Sequence, residues 1–194
     1  FWLISTPGSD VFGIDACGAA AAKADIAFYR DQGLDAIPSR GPLAALTVAG
    51  IVSGWQAALD ISEKWGGGFA LPRLLEDAEY YARTGFPVTA SQHLNTADKL
   101  AELKDVPGFA ETYLANGNPP ETGTPFKNPA FARTLERLGG KGLDDFYRGG
   151  LAQDMAADLL SAGSPVTADD LARHEALVLP PLEVKLASGA VYTM

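Results

Sequence analysis

Apolar and polar positions follow a strand-like period at both ends of the chain and a helical period between them. Phe1 to Thr6 and Val11 to Ala16 are short apolar runs, and the turn formers Pro7-Gly8-Ser9-Asp10 between them predict a β-hairpin. Ala19 to Gln32 is alanine-rich and reads as a helix that stops at Gly33. Val48 to Trp65 carries Ile51, Trp55 and Leu59 near helical spacing and runs into Gly66-Gly67-Gly68. Leu71 to Thr84 has Pro72 at a first-turn position and Gly85 behind it. Thr89, three residues before Gln92, predicts a capped helix start. Asn128-Pro129 opens a further helix with Phe131, Leu135 and Leu138 as its apolar stripe and Gly139-Gly140 as its stop. Leu151, Met155 and Leu159 form another stripe, ended by Gly163, and Thr167 with Asp170 makes an acidic capping box. Val178 to Val184 and Val191 to Met194 read as two strands around Ala187-Ser188-Gly189.

The order strand-strand, helical block, strand-strand predicts an α+β fold with a predominantly helical lobe set into or beside a sheet. The longest loop, Asn116 to Lys127, reads as a surface lid or as a simple connection. Phe1-Trp2-Leu3-Ile4 at one end and Ala190-Val191-Tyr192-Thr193-Met194 at the other both carry buried-strand patterns, where domains usually end in polar segments. The expectation is that residues 1–194 are an internal segment of a longer chain, with strands over 1–16, a helical lobe over about 19–175 and terminal strands over about 178–194.

Composition narrows the function classes. The net charge of −9 argues against a phosphate-binding face, and hence against nucleic acid as a partner. No apolar run is long enough to insert across a bilayer. A single cysteine cannot form an internal disulfide and leaves the compartment open. Two histidines leave little room for a histidine-based metal site, and no metal or organic cofactor is implied.

Few residues carry candidate chemistry. Cys17 at a strand-to-helix turn would have its thiol activated by the helix N-terminus; the alternative is a small packed residue among Gly18 and the alanines. A cysteine hydrolase also needs a base, and His93 and His174 both read as surface or half-buried side chains on helices. Arg40, in the stiff loop Ile37-Pro38-Ser39-Arg40-Gly41-Pro42, could fork a substrate carboxylate, against the plainer reading of a solvated loop arginine. Asp15 reads as a turn cap more than a catalytic acid. Asp144 and Asp145 point about 100° apart on a helix and do not converge. Gly66-Gly67-Gly68 lacks the Lys and Ser/Thr of a phosphate loop.

Several segments, in order, resemble the gamma-glutamyltranspeptidase family of N-terminal-nucleophile hydrolases. They are Phe1-Trp2-Leu3-Ile4; Gly13-Ile14-Asp15 followed by Ala21-Ala22-Lys23-Ala24; Leu46-Thr47-Val48-Ala49-Gly50 with Gly54-Trp55; Leu71-Pro72 through Ala78 to Gly85-Phe86-Pro87-Val88; Phe146-Tyr147-Arg148-Gly149; Val166-Thr167 with Asp170-Leu171; and Pro181-Leu182 with Val191-Tyr192-Thr193-Met194. Each motif is short, and their order over nearly the whole chain carries the resemblance.

The resemblance implies an αββα sandwich and a precursor that cleaves itself into a large and a small chain. The nucleophile is then a threonine at the start of the small chain, outside these residues, acting with its own amine as base. No catalytic residue is expected in this chain, and the small chain and a small-molecule amide are the expected partners. In the family's transpeptidases an arginine after the Ile-Asp strand forks the substrate's α-carboxylate. Here that position is Cys17, followed by Gly18 and then Ala19, Ala20 and Ala21. The substrate-binding candidates are therefore Cys17 and Gly18 as a small pocket wall, with Arg40 as a replacement cation. The stretches Gly13 to Gly18 and Pro38 to Val48 are similar to relatives assigned to oxamate amidohydrolase, which makes oxamate an alternative to γ-glutamyl substrates. A non-catalytic relative is the other alternative.

Overall fold

The computed structural model describes residues 1–193. Strands β1 (Trp2–Ile4) and β2 (Phe12–Asp15) form the expected hairpin, in register Trp2↔Ile14, Leu3↔Gly13 and Ile4↔Phe12. Its turn is closed by Ser9, whose Oγ accepts from Thr6 N at 2.9 Å. The other edge of β2 pairs antiparallel with β5 (Leu177–Leu179), so β2 is central in the order β1-β2-β5 and Ile14 is fully buried.

The alanine-rich stretch departs from expectation. Only α1 (Ile26–Asp31) is helical, capped by Asp25 accepting from Phe28 N at 2.8 Å. Residues 19–22 are held out of a helix by remote partners, with Ala22 in a turn. Val48 N donates to Ala19 O at 3.0 Å, Ala21 N to Leu46 O at 2.8 Å, and Ala22 N to Asp170 Oδ1 at 3.0 Å. Alanine's helix preference is a few tenths of a kcal/mol per residue, while each of these bonds is worth about 1 kcal/mol, so tertiary contact wins. The same bridge delays α2, which runs Ile51–Lys64 rather than from Val48.

Helices α3 (Leu71–Thr84) and α4 (Ala90–Leu103) lie where their caps place them, with Thr89 Oγ1 accepting from Gln92 N at 3.1 Å. A short α5 (Phe109–Tyr113) follows, which the periodicity did not foretell. The 116–127 loop is a pinned connection: β4 (Pro125–Phe126) pairs with β3 (Phe86–Pro87), and His93 Nδ1 lies 3.0 Å from Pro120 O. Helix α6 (Pro129–Lys141) passes through Gly139-Gly140 and stops at Gly142, whose φ of +89° favours glycine. Gly139 instead faces Pro72, where α3 and α6 approach closely. Helices α7 (Gly150–Ala162) and α8 (Ala168–Arg173) carry the expected left-handed Gly163 stop and the Thr167–Asp170 capping box.

The core of the helical lobe gathers Val48, Val52, Leu138, Leu143, Tyr147, Ala152, Val166 and Leu171. The expected strand Val178 to Val184 is two strands in different sheets. Pro180-Pro181, which cannot donate to a ladder, separates β5 from β6 (Leu182–Leu186), and β6 pairs with β7 (Gly189–Thr193). Met194 lies outside the described residues.

Candidate functional site

β2 delivers Asp15 and Cys17 to the mouth of a cleft. Asp15 Oδ1 accepts from Cys17 N at 2.9 Å, the Asx-type turn expected of it. Cys17 is exposed and opens no helix, so no helix N-terminus acts on its thiol. The Asp15 carboxylate, hydrogen-bonded to the thiol and repelling a thiolate, pushes Cys17 above the ordinary thiol range. The Cys17 N–H and thiol in turn hold Asp15 below the usual carboxylate range. That electrostatic setting is the opposite of what an activated cysteine needs.

Three glycines let the wall of this cleft press against α2. A Cβ on Gly18 would fall 1.6 Å from Val48 O, one on Gly50 would fall 2.0 Å from Ala16 O, and one on Gly54 would fall 2.8 Å from Ala16 Cβ. Gly50 and Gly54, one helical turn apart, thus form a notch that receives Ala16. The hydroxyl of buried Tyr147 secures the start of α2, donating to Ala49 O at 2.8 Å and accepting from Ser53 N at 2.9 Å. Burial pushes this phenol above its ordinary range.

The cleft, of about 400 Å³, is lined by Cys17, Ala19, Ala20, Ala22 and Arg173, with Asp15 and Glu175 also facing it. A second cavity of about 550 Å³ lies beside α2 and the sheet, between Phe12, Ser53, Trp65 and Tyr147. His174 lines both cavities. It is buried, contrary to the surface or half-buried expectation, with its ring 5.2 Å from that of Tyr147. Its Nε2 is buried with no hydrogen-bond partner among the described residues. A Cβ on Gly50 would lie 2.9 Å from this nitrogen.

Asp170 ties the site together. Its Oδ1 accepts from Ala22 N at 3.0 Å and Arg173 Nη2 at 2.9 Å, and its Oδ2 from Thr167 N at 2.9 Å and Thr167 Oγ1 at 2.7 Å. Burial alone pushes this carboxyl up, but these donors outweigh it and leave Asp170 below the ordinary carboxylate range. Arg40 is placed elsewhere, pairing with Glu102 of α4 at 3.0 Å and lining neither cavity. His93 also lies outside both. Asp145 holds Arg137 at 2.6 Å and Asp144 pairs with Arg148, so these two acids serve separate ion pairs. Among the described residues no group of three or more His, Cys, Asp or Glu side chains could hold a metal ion.

Of the residues the sequence singles out, Cys17 and Asp15 line the cleft and Gly18 packs against Val48 without lining it, while no sequence signal places Arg173, His174 or Tyr147 nearby. Asp170 is marked by its capping box and by the Val166-Thr167 and Asp170-Leu171 motif, and both signals are local; nothing in the sequence announces its bond to Ala22.

Comparison with known proteins fits this geometry. The gamma-glutamyltranspeptidase family model matches residues 1–194. The chain is 48% identical over 196 residues to an oxamate amidohydrolase proenzyme of Klebsiella pneumoniae subsp. pneumoniae, covering 100% of this chain and 37% of that protein. It is 35% identical over 161 residues to a glutathione hydrolase-like proenzyme of Bacillus subtilis, covering 83% of this chain and 30% of the relative. It thus spans about a third of the length of these curated relatives. The gamma-glutamyltranspeptidase of Pseudomonas nitroreducens superposes with a TM-score of 0.83 at 28% identity, over 99% of this chain and 55% of the other. A cephalosporin acylase of Bacillus halodurans shares the fold, with a TM-score of 0.85 at 24% identity over 98% of this chain and 36% of the other. The α+β architecture is accordingly that of the matching part of an N-terminal-nucleophile hydrolase. In sequence and in fold alike, the chain belongs to the gamma-glutamyltranspeptidase family.

Proposed function

We propose that this chain is the large-chain part of a self-cleaving amidohydrolase that acts on a small amide, with oxamate as its substrate. The observation that carries this reading is the cleft beside Cys17. Its near wall is built from Cys17 and alanines over the Gly18 contact, too small a lining to fork a glutamyl carboxylate from that side. The 48% identity to a protein named for oxamate hydrolysis points the same way. In this reading a threonine on the second chain takes the acyl group, the amide C–N bond breaks and ammonia leaves. Water then cleaves the ester and releases oxalate.

The second chain of the same precursor is the proposed partner. Leu182, Val184 and Leu186 of β6 share one face of the hairpin with Val191 of β7, and each is more than half exposed. Such a contiguous apolar face needs a cover. Among the described residues no helix is long and apolar enough to cross a membrane.

The test is turnover by the full-length protein, read as ammonia release from oxamate and as aniline release from a γ-glutamyl anilide. Turnover of oxamate with none of a γ-glutamyl anilide supports the reading. Turnover of the anilide alone replaces it with glutathione-type hydrolysis, and a precursor that never cleaves makes this a non-catalytic relative.

A further inference from the structure

We propose that Arg173 is the carboxylate anchor of the Cys17 cleft, and that the cleft's ligands are small amides bearing a carboxylate beside the amide carbonyl. The proposal rests on the amidohydrolase reading above. Among the described residues lining this cleft, Arg173 is the only Lys or Arg. It is also held in place: Nη2 is fixed by Asp170 Oδ1 at 2.9 Å, and Asp170 is itself buried with three further bonds from Thr167 and Ala22. The Arg173 side chain is two-thirds exposed despite that anchor. Nη2 is therefore spent on orientation, while a side chain that lines the cleft and is mostly exposed has further N–H donors for a carboxylate.

The acidic groups complete the match. Asp15 and Glu175 line the same cleft and offer acceptor oxygens. A plain anion gains nothing from them. A ligand with a carboxylate at one end and an amide NH₂ at the other meets the guanidinium with the first and the carboxylate acceptors with the second. The alanine wall leaves room for a ligand of few atoms and supplies no further charge. Arg40 lacks these features, because Glu102 neutralises it outside the cleft.

The experiment compares R173M, R173K and R40M in the full-length, self-cleaved protein, with oxamate and its neutral analogue pyruvamide as substrates. Chain cleavage is followed by gel, and oxalate binding by calorimetry. R173M is expected to raise KM for oxamate about 10- to 100-fold, the worth of a lost charged hydrogen-bonded contact, and to leave pyruvamide turnover within about twofold. R173K keeps the charge but not the fork, so an intermediate rise is expected, and it stands in if R173M fails to mature. An unchanged oxamate KM in a cleaved Arg173 variant overturns the proposal, as does an effect confined to R40M. If the unaltered protein binds oxalate through Arg173 yet does not hydrolyse oxamate, the anchor stands and the substrate reading falls. If it neither binds oxalate nor turns over oxamate, both fall.

Discussion

Gly18→Ala is the sharpest test of the seam that carries the cleft wall. The glycine is not there for backbone freedom, since its φ is not in the left-handed region; it is there because Val48 O occupies the place of a side chain. A Cβ at 1.6 Å must retreat by about 1.8 Å to reach the shortest ordinary contact of 3.4 Å, and the atom it meets is backbone, which cannot rotate away. That retreat pulls apart the bridge in which Val48 N meets Ala19 O at 3.0 Å and Ala21 N meets Leu46 O at 2.8 Å. Losing two partly buried backbone bonds at about 1 kcal/mol each, plus about 1–3 kcal/mol of overpacking, predicts a loss of about 3–5 kcal/mol. Urea unfolding of the full-length protein measures it, with Trp55 fluorescence reporting from α2 beside the seam. Gly68→Ala is the control, because nothing lies within 4 Å of its Cβ and its φ is not in the left-handed region. That change is expected to stay within about 0.5 kcal/mol. A Gly18→Ala variant as stable as the Gly68→Ala one would refute the close contact and the cleft wall built on it.

Three further expectations follow from the same geometry. Tyr147→Phe removes the hydroxyl that bridges Ala49 O and Ser53 N, which predicts about 1–3 kcal/mol of destabilisation in thermal unfolding; an unchanged midpoint contradicts the bridge. Asp170 is held below its unfolded value of about 3.9, so its stabilisation is full above that pH and is lost as pH falls through the lower, folded value; Asp170→Asn is expected to be less stable at pH 7, with a shallower loss on the acid side, and equal acid-side slopes would count against it. Cys17 is exposed but its thiol is pushed up by Asp15, so iodoacetamide should modify it more slowly at pH 8 than an unperturbed cysteine, and Asp15→Asn should speed the reaction; a thiol faster than free cysteine would revive the nucleophile reading.

The sequence disclosed most where a signal and its consequence are neighbours. Pro72 and Gly85 bound α3, Gly163 stops α7, and Thr167 with Asp170 starts α8, each within a turn of the residues it controls. It misled where a remote contact overrules a local preference. Ala19 to Ala22 are good helix formers held out of a helix by Leu46, Val48 and Asp170. Gly139-Gly140 look like a stop, but α6 runs through them and Gly139 sits where it meets Pro72. The candidate site divides in the same way. Cys17 lines the cleft beside the contiguous Ile14-Asp15 motif that marks it, and Gly18 packs against Val48 rather than lining it, whereas Arg173 is brought to the cleft by α8, whose capping carboxylate packs against Ala22, 148 residues away in sequence.

The glycines of α2 show what that packing is for. Gly54 stands inside a 14-residue helix, where glycine costs about 1 kcal/mol relative to alanine. Gly50, at the helix start, makes no side-chain cap. Neither choice favours α2 by itself. Both make sense once Ala16 is placed in the notch between them, since any side chain there would drive β2's exit off the helix. The cleft wall is thus clamped from behind by the glycine notch and from the side by Asp170, which also sets Arg173. The same carboxylate oxygen that orients Arg173 also holds Ala22 of the wall, so Asp170 links the position of the wall to the direction of the guanidinium.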